Sequence, residues 1–411
     1  MTADTVSRND FRVIGVIGLV HLLSHAYQFA LAPLFPVISL PADQGGIGVS
    51  YTELGLLASL FFASSGLCQT PAGFVVDKFG ARPVLIGGLA LLSVGVFAYS
   101  LAPNFGVLIA LSIMAGIGNS VFHPADYSLI NGAVSPARLG RAYSVHSIGG
   151  YVGFALAPAV LPLIEPALGW RGAVAVAGAI GLFVAISLII WRPDTRFDDG
   201  AATAAKGADD QSIGVGIRLL MQPAILLGFF FFLVLAMGLI GFKTMGPTAL
   251  HEGWDLSITL SGNAIAAFSV AGIIGIAAGG YWADKSTAHN RNAMFAFLLA
   301  GFFVVLIPLA AATTFQILFF LVAAGLCFGS ALPNRDLFIR SLTPKGASGR
   351  VFGFVYGGLD VGASLTPLFF GFLMDLGRPE YVVLAAGIFM FLAAGVIRLT
   401  ELVARKVASA R

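Results

Sequence analysis

Hydrophobic residues lie along this chain in long runs separated by short polar segments. Twelve runs reach the roughly 20 residues that an α-helix needs to cross a bilayer. They lie at about 12–40, 52–76, 83–101, 105–131, 139–164, 170–191, 221–249, 257–281, 293–312, 316–341, 349–375 and 380–403. The first is too long for a cleaved signal peptide. The pattern predicts an all-α integral membrane protein with twelve transmembrane helices.

The composition supports a protein embedded in the lipid bilayer. Charged residues make up 10% of the 411 residues and hydrophobic residues 58%, whereas a soluble domain has about 25% charged residues. The soluble enzyme classes are therefore excluded, and the net charge of +3 gives no reason to expect a nucleic-acid partner. Cys68 and Cys327 form no disulfide or metal-binding spacing, and no Gly-x4-Gly-Lys-Ser/Thr phosphate loop occurs. We predict no enzymatic activity, no cofactor and no bound metal.

Basic residues are concentrated on one side of the predicted spans. If both termini face the cytoplasm, 19 of the 23 lysines and arginines lie in cytoplasmic segments. Because cytoplasmic loops carry an excess of basic residues, we predict both termini inside and a location in the cell inner or plasma membrane. The longest polar interruption predicts an N-terminal six-helix bundle at 1–191, a cytoplasmic linker at 192–220 and a C-terminal six-helix bundle at 221–411.

The two halves carry matching residues at a fixed offset of 209 positions. The matches are Pro124 with Pro333, Gly140-Arg141 with Gly349-Arg350, Gly149 with Gly358, Gly153 with Gly362 and Pro158 with Pro367. A Gly-x3-Gly-x4-Pro element therefore occurs once in each half. Small residues four apart let helices approach closely, and duplicated six-span halves are typical of carriers that work by alternating access.

The loop between the second and third runs carries a longer motif. Residues 73–83 read Gly-Phe-Val-Val-Asp-Lys-Phe-Gly-Ala-Arg-Pro, which resembles the G-x-x-x-D-[RK]-x-G-x-[RK]-[RK] signature of the major facilitator superfamily. Pro83 replaces the last basic residue. The resemblance covers essentially the whole chain. It implies two pseudo-symmetric six-helix bundles and a secondary transporter that functions as a monomer.

The same resemblance implies a gate on the cytoplasmic side. Asp77 is expected to accept hydrogen bonds from the start of the eleventh span, where the helix dipole favours an anion. A second copy of the motif at 280–285 lacks the later glycine, which predicts a weaker latch. The residues with predicted gating roles are Asp77, Lys78, Arg82, Arg141, Asp284 and Arg350.

Ionisable residues inside the predicted spans indicate a transport pathway, because they are costly in a bilayer. At about 1.5 Å rise per residue, His25 and Asp360 lie near the midplane. A layer about 7–12 Å toward the cytoplasm contains His21, His123, Asp126, His146, Arg335 and Asp336. Lys243 lies a similar distance toward the outside. It is predicted to be an outer entrance charge, unless its helix is broken near Gly241 and Gly246.

Arg335 is central to the predicted site because a guanidinium keeps its charge and needs an anion. It either binds an anionic substrate or pairs with Asp126, its counterpart in the repeat, as a gate between the halves. His146 is expected to bond a backbone carbonyl. The residues predicted to bind substrate are Arg335, His21, His25, Gln28, His123 and Tyr356.

A carboxylate without a fixed cation is the expected proton carrier. Asp360 is preferred for its central position, and Asp126 and Asp336 are the other candidates. The leading hypothesis is a proton-coupled carrier of a small organic anion such as a carboxylate or phosphonate, because the planar arginine fork pairs with two oxygens at once. The direction of transport stays open, although Phe122-His123-Pro124-Ala125 resembles the fosmidomycin-resistance-type exporters.

Three other functions remain as alternatives. A multidrug/H⁺ antiporter would attract lipophilic cations through Asp360 and the phenylalanines at 229, 230 and 232. A divalent-metal carrier would use His21, His123, Asp126 and His146, but Arg335 in the same layer would repel a dication. A receptor or scaffold that transports nothing is disfavoured by the gate motif and by the lack of any sizeable soluble domain.

Overall fold

The computed structural model describes residues 3–135, 138–190, 220–310, 312–342 and 348–409, so that the predicted linker lies outside the described residues except for residue 220. All regular elements in these ranges are helical, which confirms the all-α prediction. The α-helices are α1 (Ala3–Gln28), α2 (Phe35–Ser39), α3 (Tyr51–Phe79), α4 (Ala81–Ala98), α5 (Phe105–Asn119), α6 (Phe122–Ala133), α7 (Leu139–Ile190), α8 (Pro223–Trp254), α9 (Ile258–Asp284), α10 (His289–Leu309), α11 (Thr314–Leu342), α12 (Ser348–Asp375) and α13 (Pro379–Ser409).

Eleven helical segments among the described residues are long and apolar enough to cross a bilayer. One of them, Arg141–Ile190, has 50 residues. This corresponds to about 75 Å of helix, more than twice the thickness of a bilayer's hydrocarbon core. The backbone of Gly169 departs from helical geometry inside it, with φ 66° and ψ 171°. The predicted fifth and sixth spans are therefore the two parts of α7.

Large apolar side chains are widely exposed in this fold. The most exposed are more than 70% accessible, and they include Leu67, Phe74, Phe183, Ile190 and Phe315. Burying such a side chain away from water is worth about 1.5–3 kcal/mol, so their exposure matches a surface covered by lipid. The chain is a multi-pass membrane protein.

A break in the predicted fourth span positions two of the ionisable residues. The span consists of α5, which ends at Asn119, and α6, which begins at Phe122. Pro124 lacks an N–H and its ring clashes with the carbonyl four residues earlier, which is that of Ser120 in the break. His123 and Asp126 consequently lie in the first turns of a new helix.

The chain divides into two compact units, Met1–Val49 with Leu60–Asp209 and Ser50–Ser59 with Asp210–Arg411. We call them unit 1 and unit 2. The start of α3 groups with unit 2 because Asp375 accepts hydrogen bonds from the backbone N–H groups of Tyr51 and Thr52, at 2.8 and 2.7 Å. A carboxylate at this position also interacts favourably with the helix dipole.

The repeated glycine pair brings two helices of unit 1 into backbone contact. A Cβ atom on Gly149 of α7 would lie 2.6 Å from the carbonyl oxygen of Gly18 of α1. One turn later, a Cβ atom on Gly153 would lie 2.3 Å from the carbonyl oxygen of Leu22. Only glycine allows the backbones of α1 and α7 to approach this closely.

Unit 2 uses the matching glycine pair in the same way. Cβ atoms on Gly358 and Gly362 of α12 would lie 2.3 Å from the carbonyl oxygens of Phe229 and Leu233, respectively. These two α8 residues are four apart, as Gly18 and Leu22 are in α1. The sequence repeat therefore corresponds to a repeated mode of helix packing.

Candidate functional site

Unit 1 contains a compact group of ionisable side chains, which we call the histidine cluster: His21, His25, His123, Asp126 and His146. Its centre is Asp126, which is fully buried. Asp126 Oδ2 lies 2.9 Å from His21 Nδ1 and 3.2 Å from His146 Nε2. The expectation that His146 bonds a backbone carbonyl is wrong, since its hydrogen-bond partner is this carboxylate.

Three helices of unit 1 supply the histidine cluster. His21 and His25 are one turn apart on α1, and their ring centroids are 4.4 Å apart. His123 and Asp126 come from the start of α6, and His146 comes from α7. Gly150 makes room for the rings, because a Cβ atom at this position would lie 3.2 Å from His21 Nε2.

The histidine cluster also has polar atoms with unused hydrogen-bonding capacity. His123 Nδ1 and Asp126 Oδ1 are buried and have no hydrogen-bond partner among the described residues. His21, His123 and His146 each place one ring nitrogen so that the three atoms lie within 4.8 Å of one another. The arrangement offers several nitrogen donors and a carboxylate in a small buried volume.

A short polar chain next to the histidine cluster was not predicted. Ser24 Oγ donates to Asn119 Oδ1 at 2.8 Å, and Asn119 Nδ2 donates to Ser65 Oγ at 2.9 Å. It connects α1, α5 and α3 inside unit 1. Ser24 lies between His21 and His25 in the sequence, so uncharged polar residues inside apolar spans were the signal that would have identified it.

Unit 2 contains a second polar group, which we call the arginine cluster: Phe232, Arg335, Asp336 and Tyr356. Asp336 Oδ1 accepts a hydrogen bond from Arg335 Nε at 2.9 Å and lies 2.9 Å from Arg335 Nη2. Tyr356 Oη donates to the same oxygen at 3.1 Å. The guanidinium carbon lies 5.0 Å from the centre of the Phe232 ring, within cation–π range. Arg335 therefore has an aromatic wall and a neighbouring carboxylate.

Asp360 lies one helical turn after Tyr356 on α12, so both side chains project from the same face. Its side chain is half-buried. Its carboxylate makes no hydrogen bond or ion pair with any other residue that the structure describes. Asp336 is the aspartate that contacts Arg335.

The remaining predicted site residues are members of neither cluster. Gln28 is the last residue of α1 and is half-buried. Lys243 is 3% exposed within α8, and this helix continues through Gly241 and Gly246, so the proposed helix break is absent from α8. Asp126 and Arg335 each have a partner inside their own unit.

The predicted gating residues are described only in part. Arg82 Nη2 donates to the carbonyl oxygen of Leu188 at 3.0 Å. Lys78 Nζ lies 5.3 Å from the centre of the Phe79 ring, and Arg141 is exposed. The side chains of Asp77, Asp284 and Arg350 lie outside the part of the chain that the structure describes.

Apolar helices long enough to cross a membrane place the chain in the class of polytopic membrane proteins, in which buried ionisable clusters commonly mark functional sites. The model of the Major Facilitator Superfamily matches residues 17–296 and 237–410. The chain belongs to this superfamily.

Two relatives illustrate the range of the similarity. The hexuronate transporter of Bacillus subtilis (strain 168) is 23% identical over 414 residues, which cover 95% of each chain. The fosmidomycin resistance protein of Escherichia coli (strain K12) is 29% identical over 160 residues, 39% of this chain and 38% of that protein. The chain therefore matches the second relative over about two fifths of its length.

The fold resembles that of solved transporters. The crystal structure of a bacterial homolog to the human lysosomal transporter Spinster covers 96% of this chain and 97% of its own, with a TM-score of 0.76 and 16% sequence identity. The chain therefore shares the fold of that structure.

Proposed function

We propose that this protein is a proton-coupled secondary carrier of a small organic anion, a carboxylate or phosphonate. It has twelve membrane spans with both termini in the cytoplasm of the cell, and it works by alternating access between two six-helix bundles. The observation that carries the proposal is the arginine cluster, in which a permanent cation inside the membrane has an aromatic wall and a displaceable carboxylate.

Arg335 is the anion-binding residue of this proposal. Its side chain is 11% exposed, whereas that of Asp336 is 44% exposed, so a soluble anion reaches the pair from the side of the carboxylate. A planar guanidinium binds two oxygens of a carboxylate or phosphonate at once. The anion would share or replace the contacts of Asp336 Oδ1, and Tyr356 Oη is positioned to donate to it.

Asp360 is the proton carrier of this proposal. A carboxylate that lacks a fixed cation in a membrane interior is suited to bind a proton, because protonation removes a charge that is costly there. Asp360 lies one turn from Tyr356 on the same helix, so the proton-binding group is close in the chain to a residue of the anion site. The name of the hexuronate transporter states an anionic substrate for that relative, which supports the same substrate class here.

A ligand screen followed by a flux measurement tests the proposal. Purified protein is heated with a panel of carboxylates, phosphonates, lipophilic cations and metal salts, since a ligand of the folded form raises the melting temperature. The stabilising anion is then measured in proteoliposomes with and without a pH gradient. We expect stabilisation by an anion and pH-driven accumulation. Stabilisation by lipophilic cations alone, or flux indifferent to the pH gradient, would overturn the proposal.

A further inference from the structure

The anion and proton sites proposed above do not use the histidine cluster, and its geometry supports a different ligand. We propose that His21, His123 and His146 form a binding site for a divalent transition-metal ion of the zinc type. Asp126 is the carboxylate that orients two of these histidines. The site lies wholly inside unit 1 and bridges α1, α6 and α7.

The positions of the three imidazoles are close to those of a metal site. Zinc binds imidazole nitrogen at about 2.0–2.1 Å in a tetrahedral arrangement, which separates two ligand nitrogens by about 3.4 Å. The ligand atoms of the three histidines lie within 4.8 Å of one another. Binding therefore requires the ligand atoms to move together by at most about 1.4 Å. It also requires the stacked rings of His21 and His146 to turn until their in-plane lone pairs converge on the ion.

Asp126 has the geometry of an orienting carboxylate. Histidines that bind a metal through one ring nitrogen commonly direct the other toward a carboxylate. His21 Nδ1 and His146 Nε2 both lie within 3.2 Å of Asp126 Oδ2, so that His21 Nε2 and His146 Nδ1 are the nitrogens available to an ion. One carboxylate thereby contacts two ligands from two helices.

His123 completes the triad from the third helix. Its Nδ1 atom is buried and has no hydrogen-bond partner among the described residues. A metal ion would bind either this atom or Nε2, and in the second case Nδ1 would point away from the ion. Three neutral imidazoles and one carboxylate give the site a net charge of −1, which favours a dication. Nitrogen donors select zinc, cobalt, nickel or copper over calcium and magnesium, which prefer oxygen.

Arg335, which the sequence predicts at the depth of the histidines, repels a dication less than the sequence alone suggests. Arg335 belongs to unit 2, where Asp336 Oδ1 neutralises it at 2.9 Å.

Cobalt binding to the purified protein in detergent tests the inference, with no transported substrate present. After removal of metals with a chelator, Co²⁺ is titrated while the visible d–d absorption of tetrahedral cobalt is recorded. We expect one equivalent to bind, Zn²⁺ to displace it, and the melting temperature to rise because the ion links three helices. X-ray absorption of the zinc form should show three imidazoles at about 2.0–2.1 Å.

Variants distinguish this site from histidines elsewhere. His123→Gln and His146→Gln should each weaken Co²⁺ binding by at least a hundredfold, and Asp126→Asn should weaken it by about 10–100-fold. His251→Gln and His289→Gln are the matched controls and should bind as the wild type does. His251 contacts the carbonyl oxygen of Leu256 and His289 contacts Asn334, so both lie outside the cluster.

Three results would overturn the inference: no saturable tetrahedral spectrum in the wild-type protein, zinc bound by fewer than two imidazoles, or equal loss of binding in the control variants. The first two results are obtained with the wild-type protein, so they test the metal site even if His123→Gln does not fold. None of them bears on anion transport, which the proteoliposome measurement tests separately.

Discussion

The imidazole rings of His21 and His146 stack with their centroids 3.6 Å apart and their planes at 25°. The residues are 125 positions apart in the sequence and lie on different helices. They meet at the level where Gly149 and Gly153 bring the backbones of α1 and α7 together. The polar interior of unit 1 therefore depends on a close helix contact that small residues provide.

Gly153→Ala should destabilise the protein. The new methyl group would lie 2.3 Å from the carbonyl oxygen of Leu22 and 2.8 Å from His25 Cβ, so the helices have to separate. Overpacking of this kind costs about 1–3 kcal/mol. Thermal unfolding in detergent measures the effect. Gly15→Ala is the control because a Cβ atom there has no neighbour within 4 Å, and equal melting temperatures for the two variants would contradict the prediction.

Asp126→Ala should lower the melting temperature more than an exposed substitution does. It removes the hydrogen-bond partner of His146 Nε2 and the carboxylate that lies 2.9 Å from His21 Nδ1, and a buried donor left unsatisfied costs about 1–3 kcal/mol. Asp43→Ala serves as the control, since Asp43 is exposed in a 3-10 turn. If the two variants unfold at the same temperature, the contacts to Asp126 do not stabilise unit 1.

Arg335→Lys should impair anion transport nearly as much as Arg335→Ala. Lysine keeps the charge but cannot offer the two parallel donors of a guanidinium. A hydrogen bond to a charged group is worth about 1.5–3 kcal/mol, which corresponds to a loss of about 10–100-fold in apparent affinity. Uptake into proteoliposomes measures it.

Arg378→Lys is the matched control for that experiment. Arg378 is 58% exposed and contacts Glu380 at 3.5 Å, so the same chemical change there should leave uptake unchanged. Normal uptake in both Arg335 variants, with the protein folded, would show that Arg335 does not bind the substrate.

Asp360→Asn should uncouple transport from the pH gradient. Asparagine resembles the protonated carboxyl group in shape and cannot release the proton, so accumulation against a gradient is lost while exchange of substrate across the membrane continues. Accumulation and counterflow are compared in the same proteoliposomes. Asp255→Asn, at an exposed helix end, should retain both activities. Wild-type accumulation in Asp360→Asn would assign the proton to another group.

The sequence was sufficient to predict the helical class and the packing repeat. Long hydrophobic runs indicate helices that cross a membrane, because the bilayer imposes the length and composition of such helices. The match of Gly153 with Gly362 at a fixed offset corresponds to equivalent contacts with Leu22 and Leu233. Both features could be predicted from the sequence because each depends on residues that are close together in the chain or on a repeated spacing.

The partners of the ionisable residues could not be predicted in the same way. Position in a span gives the depth of a side chain but not its direction around the helix. The six ionisable residues predicted at one depth could therefore not be assigned to separate sites. The structure shows two histidines next to Asp126 in unit 1, and Asp336 bound to its sequence neighbour Arg335 in unit 2. It also shows that His146 bonds a carboxylate and not a backbone carbonyl.

The sequence by itself determined that this is a multi-pass helical membrane protein with a repeated mode of helix packing. Lipid requires every span to satisfy its own backbone, and small residues indicate where spans meet. Only the tertiary structure decided which buried charges are paired, because pairing depends on the rotation of each helix about its axis. That rotation is set by packing between segments far apart in the chain, as between α1 and α7 around Asp126.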